Sequence, residues 1–246
     1  VSATVSPPLV RRLAAEYVGT AALVAVVVGS GIAAQQLSPD DVGLQLLESS
    51  TATVFGLAVL ILVFGPVSGA HFNPAVSLAD WLAGRRTRTG LSGSEAAAYT
   101  AAQTVGAISG AVLANLMFNQ AAGQISTHHR VDSGHVIGEI VATAGLIALI
   151  FALARTGRSA LAPVAVAAWI GAAYWFTSST SFANPAVTIG RIFTDTFAGI
   201  APSSAPGFIA AQLIGALLGL GAIALFYPEL PAAAEDVIVP HPRAAS

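Results

Sequence analysis

The chain has 246 residues; 55% are hydrophobic and only 9% are charged, against about 25% in an ordinary soluble domain. Its ten cations are all arginine, its acids number twelve and its formal net charge is −2, which excludes a basic nucleic-acid-binding domain, while the apolar content excludes disorder. Zero cysteine excludes a disulfide scaffold, a thiolate metal site and a cysteine nucleophile, and an integral membrane protein remains.

Six windows carry no Asp, Glu, Lys or Arg: residues 17–39, 49–79, 96–127, 140–154, 159–190 and 196–228. A spanning helix takes ~20 mostly apolar residues. The first, third and sixth windows each predict one span. The fourth reaches that length as residues 136–154 once Glu139 is counted inside. The second and fifth are too long for one helix. Each predicts a helix, over 50–64 and 161–176, then a polar break rich in Gly or Ser, then Asn-Pro-Ala at 73–75 and 184–186. Asn is a good N-cap and Pro suits the first helical position. Short second helices are therefore expected over 74–83 and 185–193. The runs lack the alternation of an outer-membrane barrel.

Arginine sets the expected orientation. Arg11 and Arg12, then Arg85, Arg86 and Arg88, then Arg155 and Arg158, and finally Arg243 fall on one side if there are six full spans. That side is expected to be cytoplasmic, with both termini on it. Asp40, Asp41, Glu48, Arg130 and Asp132 fall on the other. The first apolar run reads as a retained span rather than a cleavable signal.

The halves repeat. Residues 14–20 resemble 137–143, 72–76 resemble 183–187, and 101–107 resemble 210–216. Each half holds three spans, an odd number, so the second half is inverted. Inverted repeats with broken helices place a functional centre near the bilayer midplane. Unwound backbone survives at that depth only where it is buried or lines a watery cavity.

Six spans, inverted halves and two Asn-Pro-Ala segments resemble the major intrinsic protein family of aquaporins and glycerol facilitators. The stretch Ser68-Gly69-Ala70-His71-Phe72-Asn73-Pro74-Ala75-Val76 is close to that family's first signature. The resemblance covers about residues 12–227. It implies an all-α, aquaporin-like membrane protein of six transmembrane helices plus two re-entrant half-helices in an inverted repeat. The halves would be about 12–119 and 135–227, flanked by cytoplasmic tails 1–11 and 228–246. It further implies a bacterial plasma membrane location, a homotetramer with one pore per subunit, no cofactor, and water and small uncharged solutes as partners beside the lipid bilayer.

Asn73, Pro74 and Ala75 would then meet Asn184, Pro185 and Ala186 tip to tip. Helix N-termini carry partial positive charge, which raises the energy of a cation or migrating proton there. Both Asn amides are expected to donate to a passing solute. Carbonyls of residues 69–72 and 179–183 would form an acceptor ladder facing apolar walls. The family's narrower ring, carried over by distance from the motifs, falls on Thr53, Ala172, Ser181 and Val187. Phe55 replaces Thr53 if the second helix holds a two-residue gap. Most of the family has Arg where this chain has Val187. The expected ring is therefore wide and uncharged, with Arg191 one turn on either out of the pore or a partial substitute. Val187 and residues 190–199 resemble a bacterial subgroup tied to arsenic resistance. That implies passage of arsenite as the neutral trihydroxide, and of larger methylated arsenicals.

Glu16 and Glu139 occupy matching places, and intramembrane acids are costly and by default functional. The resemblance implies that they buttress the unwound loops; solute or proton binding is the alternative. Gln103 and Gln212 match each other and are expected to support the half-helices. His71 at the cytoplasmic pore entrance reads either as a lumen-lining, pH-sensitive group or as a structural histidine. His128, His129 and His135 read as an exposed loop or a weak metal site, and no metal is assigned. Asp80 and Asp195 are expected to pair with loop groups. Gly106, Gly110, Gly215 and Gly219 are expected to draw the third and sixth spans together. Two competing functions stand beside the wide channel: an ordinary water and glycerol facilitator, and an ion-coupled secondary transporter. No nucleophile–base pair, metal set or phosphate loop points to an enzyme.

Overall fold

The computed structural model describes residues 7–85 and 89–228. Arg86, Arg88, Arg243 and the rest of the C-terminal tail lie outside the described residues, as do residues 1–6. Among the described residues are eight α-helices: α1 (Leu9–Leu37), α2 (Val42–Ser68), α3 (Pro74–Gly84), α4 (Gly93–Met117), α5 (Ser133–Arg155), α6 (Ala162–Phe176), α7 (Pro185–Gly190) and α8 (Ala205–Phe226). Five of them, α1, α2, α5, α8 and α6 with its leading 3₁₀ turn, are long and apolar enough to cross a membrane. The sixth long helix, α4, has 25 residues. Its Thr100, Gln103, Thr104 and Asn115 make it more polar than the rest.

The helix ends follow local chemistry. Asp41 caps α2 by accepting from the Leu44 N–H at 2.9 Å. Ser92 and Glu95 form a reciprocal capping box on α4. Asp132 caps α5 through the His135 N–H at 2.8 Å. Asn73 and Asn184 cap α3 and α7, each with Pro at the first helical position.

Two boundaries differ from the expectation. The second helix begins at Val42, not near residue 50, because Asp41 caps it and Glu48 is bonded rather than stranded; it accepts from the Ser38 hydroxyl at 2.8 Å. That helix also runs through Pro66 and stops only at Gly69, whose φ of +87° suits glycine. The second short helix is α-helical only to Gly190 and continues as a 3₁₀ turn, Arg191–Phe193.

The packing repeats with the sequence. In the first half α1 packs on α2 and α4; in the second α5 packs on α6 and α8. Across the halves α2 meets α6, α3 meets α8, and α7 meets α4. Exchanging the halves maps this set onto itself. The glycine pairs explain the tightest crossings, and here the expectation is corrected. A Cβ at Gly106 or Gly110 would lie 2.4 Å from the Tyr17 carbonyl oxygen or 2.1 Å from that of Ala21, both on α1. A Cβ at Gly215 or Gly219 would lie 2.6 Å from the Ile140 or Ala144 carbonyl oxygen, both on α5. These glycines seat α4 on α1 and α8 on α5; they do not draw α4 and α8 together. Small residues permit that backbone approach inside each half.

Candidate pore

Once within each half, before α3 and before α7, the chain leaves the helical conformation, and both times in the same way. In the first break Gly69, Ala70 and Phe72 have positive φ; in the second, Thr180, Ser181 and Ala183 do, with non-glycine values of +47° to +59°. Left-handed backbone costs roughly 1–2 kcal/mol at each non-glycine residue. Something must hold these loops in place.

Two buried carboxylates do. Glu16 Oε1 accepts from the Ser68 hydroxyl at 2.6 Å and the His71 N–H at 3.0 Å; its Oε2 accepts from the Phe72 N–H and Gln103 Nε2, both at 2.7 Å. Glu139 repeats the set. Its Oε1 accepts from the Ser179 hydroxyl at 2.6 Å and the Phe182 N–H at 2.8 Å; its Oε2 accepts from the Ala183 N–H at 2.8 Å and Gln212 Nε2 at 2.6 Å. Both carboxylates are fully buried. A carboxylate offers about four acceptor sites, and all four are used. Neither glutamate keeps a lone pair free for a coupling ion, which counts against the secondary transporter. Gln103 also donates to the Ser77 hydroxyl at 3.0 Å, and Gln212 to that of Thr188 at 2.9 Å. Each glutamine thus ties its carboxylate to its half-helix.

The half-helices are bonded to each other. Asn73 Nδ2 donates to the Ala183 carbonyl, and Asn184 Nδ2 to the Phe72 carbonyl, each at 2.8 Å. Their Oδ1 atoms accept from the N–H of Ala75 at 2.9 Å and of Ala186 at 3.0 Å. An amide carries two N–H donors, so one donor per Asn is spent across the repeat. Only the other remains for a solute.

A cavity of about 100 Å³ runs past both asparagines. Residues from Gly69 to Asn73 and from Ser181 to Asn184 form one side. The opposite wall is apolar and helical. Leu23 and Val27 come from α1, Leu146 and Ile150 from α5. Thr53, Leu57 and Ile61 come from α2; Val166, Ile170 and Tyr174 from α6, with Ala162 at its start. Along each helix the lining residues are four apart, one row on one face.

That row decides which of the candidate ring residues face the cavity. Thr53 is 2% exposed, lines the cavity and lies 3.3 Å from the Tyr174 hydroxyl. Phe55 is 69% exposed on the outer face, because two residues along a helix turn the side chain about 200°. The same geometry corrects Ala172, which is exposed on the outside of α6. Tyr174 lines the cavity in its place, since it extends the row of Val166 and Ile170. Ser181 and Val187 both line the cavity. The residues that line the cavity here are therefore not uniformly small.

Nor is its mouth uncharged. Arg191 is 4% exposed and lines the cavity. Its guanidinium carbon lies 3.4 Å from the Phe182 ring centroid, and its Nε donates to the Ala198 carbonyl. Arg191 has helical φ and lies four residues after Val187, so it continues the face on which Val187 meets the cavity. Tyr174 and the Phe182 side chain line the cavity without being singled out in the sequence, whereas Arg191 is weighed there as a partial substitute at the ring. The Asn73 offset to His71 and its mirror, Asn184 to Phe182, was the available signal for the ring phenylalanine.

The remaining polar residues fall away from the lumen or beside it. His71 lines the cavity, with its Nδ1 3.0 Å from the Ser77 hydroxyl. Asp80 accepts from the Leu91 N–H at 2.6 Å. Asp195 accepts from the Thr127 N–H at 2.8 Å and the Thr127 hydroxyl at 3.0 Å, bonds that hold its pKa below the usual aspartate value. The loop histidines are engaged separately: His128 with Asp195, His129 with Ser203 and His135 with Asp132. Among the described residues no three His, Asp or Glu side chains gather as a metal site.

Residues 3–181 match the family model described as "Major intrinsic protein". The chain belongs to the major intrinsic protein family. It is a channel protein of the membrane, not an enzyme. Among relatives of this family, it is 50% identical over 212 residues to an aquaglyceroporin, AqpS, of Rhizobium meliloti (strain 1021), covering 86% of this chain and 88% of that one. It is 33% identical to a glycerol uptake facilitator protein of Pseudomonas aeruginosa, over 95% of both chains. The X-ray structure of the aquaglyceroporin from Plasmodium falciparum superposes with a TM-score of 0.60 at 19% identity, over 93% of this chain and 99% of that one. This last likeness shows the fold alone.

Proposed function

We propose that this protein is a passive channel for water, glycerol-like polyols and arsenite in its neutral trihydroxide form. The observation that carries the reading is the two-faced cavity. Loop backbone and the Asn73 and Asn184 amides face a helical wall of Leu, Val and Ile side chains. A polyol presents hydroxyls on one side and carbon on the other, and weak binding at many sites favours conduction. Asn73, Pro74, Ala75, Asn184, Pro185 and Ala186 form the central constriction in this reading. Thr53, Tyr174, Ser181 and Val187 form the outer ring, with His71 at the other mouth. Arg191 adds positive charge beside that ring and so supports rejection of cations. The resemblance around Val187 supports arsenite as a substrate. The Tyr174 and Phe182 rings argue against passage of the larger methylated arsenicals. The working unit in this reading is a homotetramer in a bacterial plasma membrane, with both termini cytoplasmic.

The test is solute-resolved flux in proteoliposomes, by stopped-flow light scattering and arsenic uptake. Water, glycerol and arsenite should pass without saturation and without regard to a proton gradient, and methylarsenate should not. In Val187→Arg, glycerol and arsenite flux should fall more than water flux, because a second guanidinium would narrow the ring. Equal loss for all solutes would count against Val187 setting the width of the ring. Saturation coupled to a proton gradient would refute a channel.

A further inference from the structure

Beyond the ring, at the end where α1 finishes and α2 begins, lies a second cavity of about 200 Å³. Its charged lining residues are Arg130 and Arg191; no Asp or Glu lines it. Both guanidinium carbons approach the same Phe182 ring, at 5.5 and 3.4 Å from its centroid. Neither arginine takes part in an ion pair among the described residues. Backbone carbonyls orient them instead. Arg130 Nε donates to Gly199 and its Nη2 to Phe197, each at 2.6 Å, and Arg191 Nε donates to Ala198. This leaves Nη1 of Arg130 and both terminal nitrogens of Arg191 without a protein acceptor among the described residues. Two like charges held together in a low-dielectric wall are costly when the nearby negative charge, the Glu139 carboxylate, is already fully hydrogen-bonded to the second loop. A small anion would offset that cost through charge-assisted bonds to fixed donors. The Tyr174 hydroxyl, Ser49 and Thr180 supply further polar lining.

We propose that this vestibule is a docking site for a small inorganic oxyanion of the phosphate type. The anion docks and does not pass, because the apolar wall beyond Tyr174 offers nothing to replace its hydration. Docked there, it sits over the mouth of the pore and slows solute flux. Only this last consequence rests on the channel reading; the binding itself does not.

The binding test is calorimetric titration of sodium phosphate into the detergent-solubilised protein, with sodium chloride of matched ionic strength as the control. The wild type should show saturable binding to phosphate. Arg130→Gln and Arg191→Gln should each weaken it about tenfold, as loss of one hydrogen bond to a charged group predicts. In proteoliposomes, phosphate should lower wild-type glycerol flux saturably. Each variant, normalised to its own phosphate-free flux, should be less sensitive. Absence of saturable heat in the wild type would overturn the proposal, whatever the flux shows. So would wild-type affinity in both variants. Binding without flux inhibition would uphold the site and overturn only its place over the pore. Inhibition by an anionic lipid in phosphate-free buffer would overturn the assignment to a free anion in favour of a headgroup phosphate.

Discussion

Glu139 sets the shape of the second loop, and Glu139→Gln isolates that role. Gln has the same size but replaces one acceptor oxygen with a donor. Whichever way the amide turns, two donors lose their acceptor: the Ser179 hydroxyl and Phe182 N–H, or the Ala183 N–H and Gln212 Nε2. Each unsatisfied buried donor costs about 1–3 kcal/mol, so the gross penalty is about 2–6 kcal/mol. Neutralising a buried carboxylate returns part of its desolvation cost, which favours the lower end. The same bonds restrain the left-handed residues Thr180, Ser181 and Ala183, so the loop should relax and its carbonyls turn from the lumen. The expected result is a thermal midpoint lower by at least about 5 °C and a clear loss of glycerol flux in proteoliposomes. Glu16→Gln should do the same through the first loop. A Glu139→Gln protein with wild-type midpoint and wild-type flux would refute the claim that the carboxylate holds the loop.

Gly110→Val should be poorly tolerated, because even its Cβ would lie 2.1 Å from the Ala21 carbonyl oxygen; a loss of about 1–3 kcal/mol or more in stability should appear as reduced folded yield and a lower midpoint. Ala172→Leu should leave glycerol flux at the wild-type level, since that side chain faces outward, whereas Tyr174→Ala should raise glycerol flux relative to water flux; the reverse pattern would restore Ala172 to the ring. Asp195 has a folded pKa below the usual aspartate value, so its stabilisation is fully present above about pH 4. It is lost as pH falls through the lowered value. Thermal midpoints at pH 7 and pH 3 should therefore differ less in Asp195→Asn than in the wild type.

Much of this architecture was legible in the chain because the relevant signals are local. Charge gaps mark spans, Asn followed by Pro marks a helix start, and matching residues at Glu16 and Glu139 or Gln103 and Gln212 betray the repeat. The depth to which Arg191 reaches was not legible, since its guanidinium is held by the Phe182 ring and the Ala198 carbonyl, which only the folded loops bring to it. The facing of Ala172 failed for a related reason. Counting back from Asn184 assumes a turn length, and an error of two residues moves a side chain to the far side of the helix. The glycine pairs announced a close crossing but not its partner.

From the sequence alone came the membrane class, the inverted repeat, the two capped stubs and the list of polar residues that the interior must accommodate. These depend on composition and on neighbours within a few residues. Only the tertiary structure decided that each Asn amide is half spent on the opposite loop, that Tyr174 rather than Ala172 faces the lumen, and that two arginines share one vestibule. Those outcomes join residues more than fifty positions apart, and only tertiary packing brings them together.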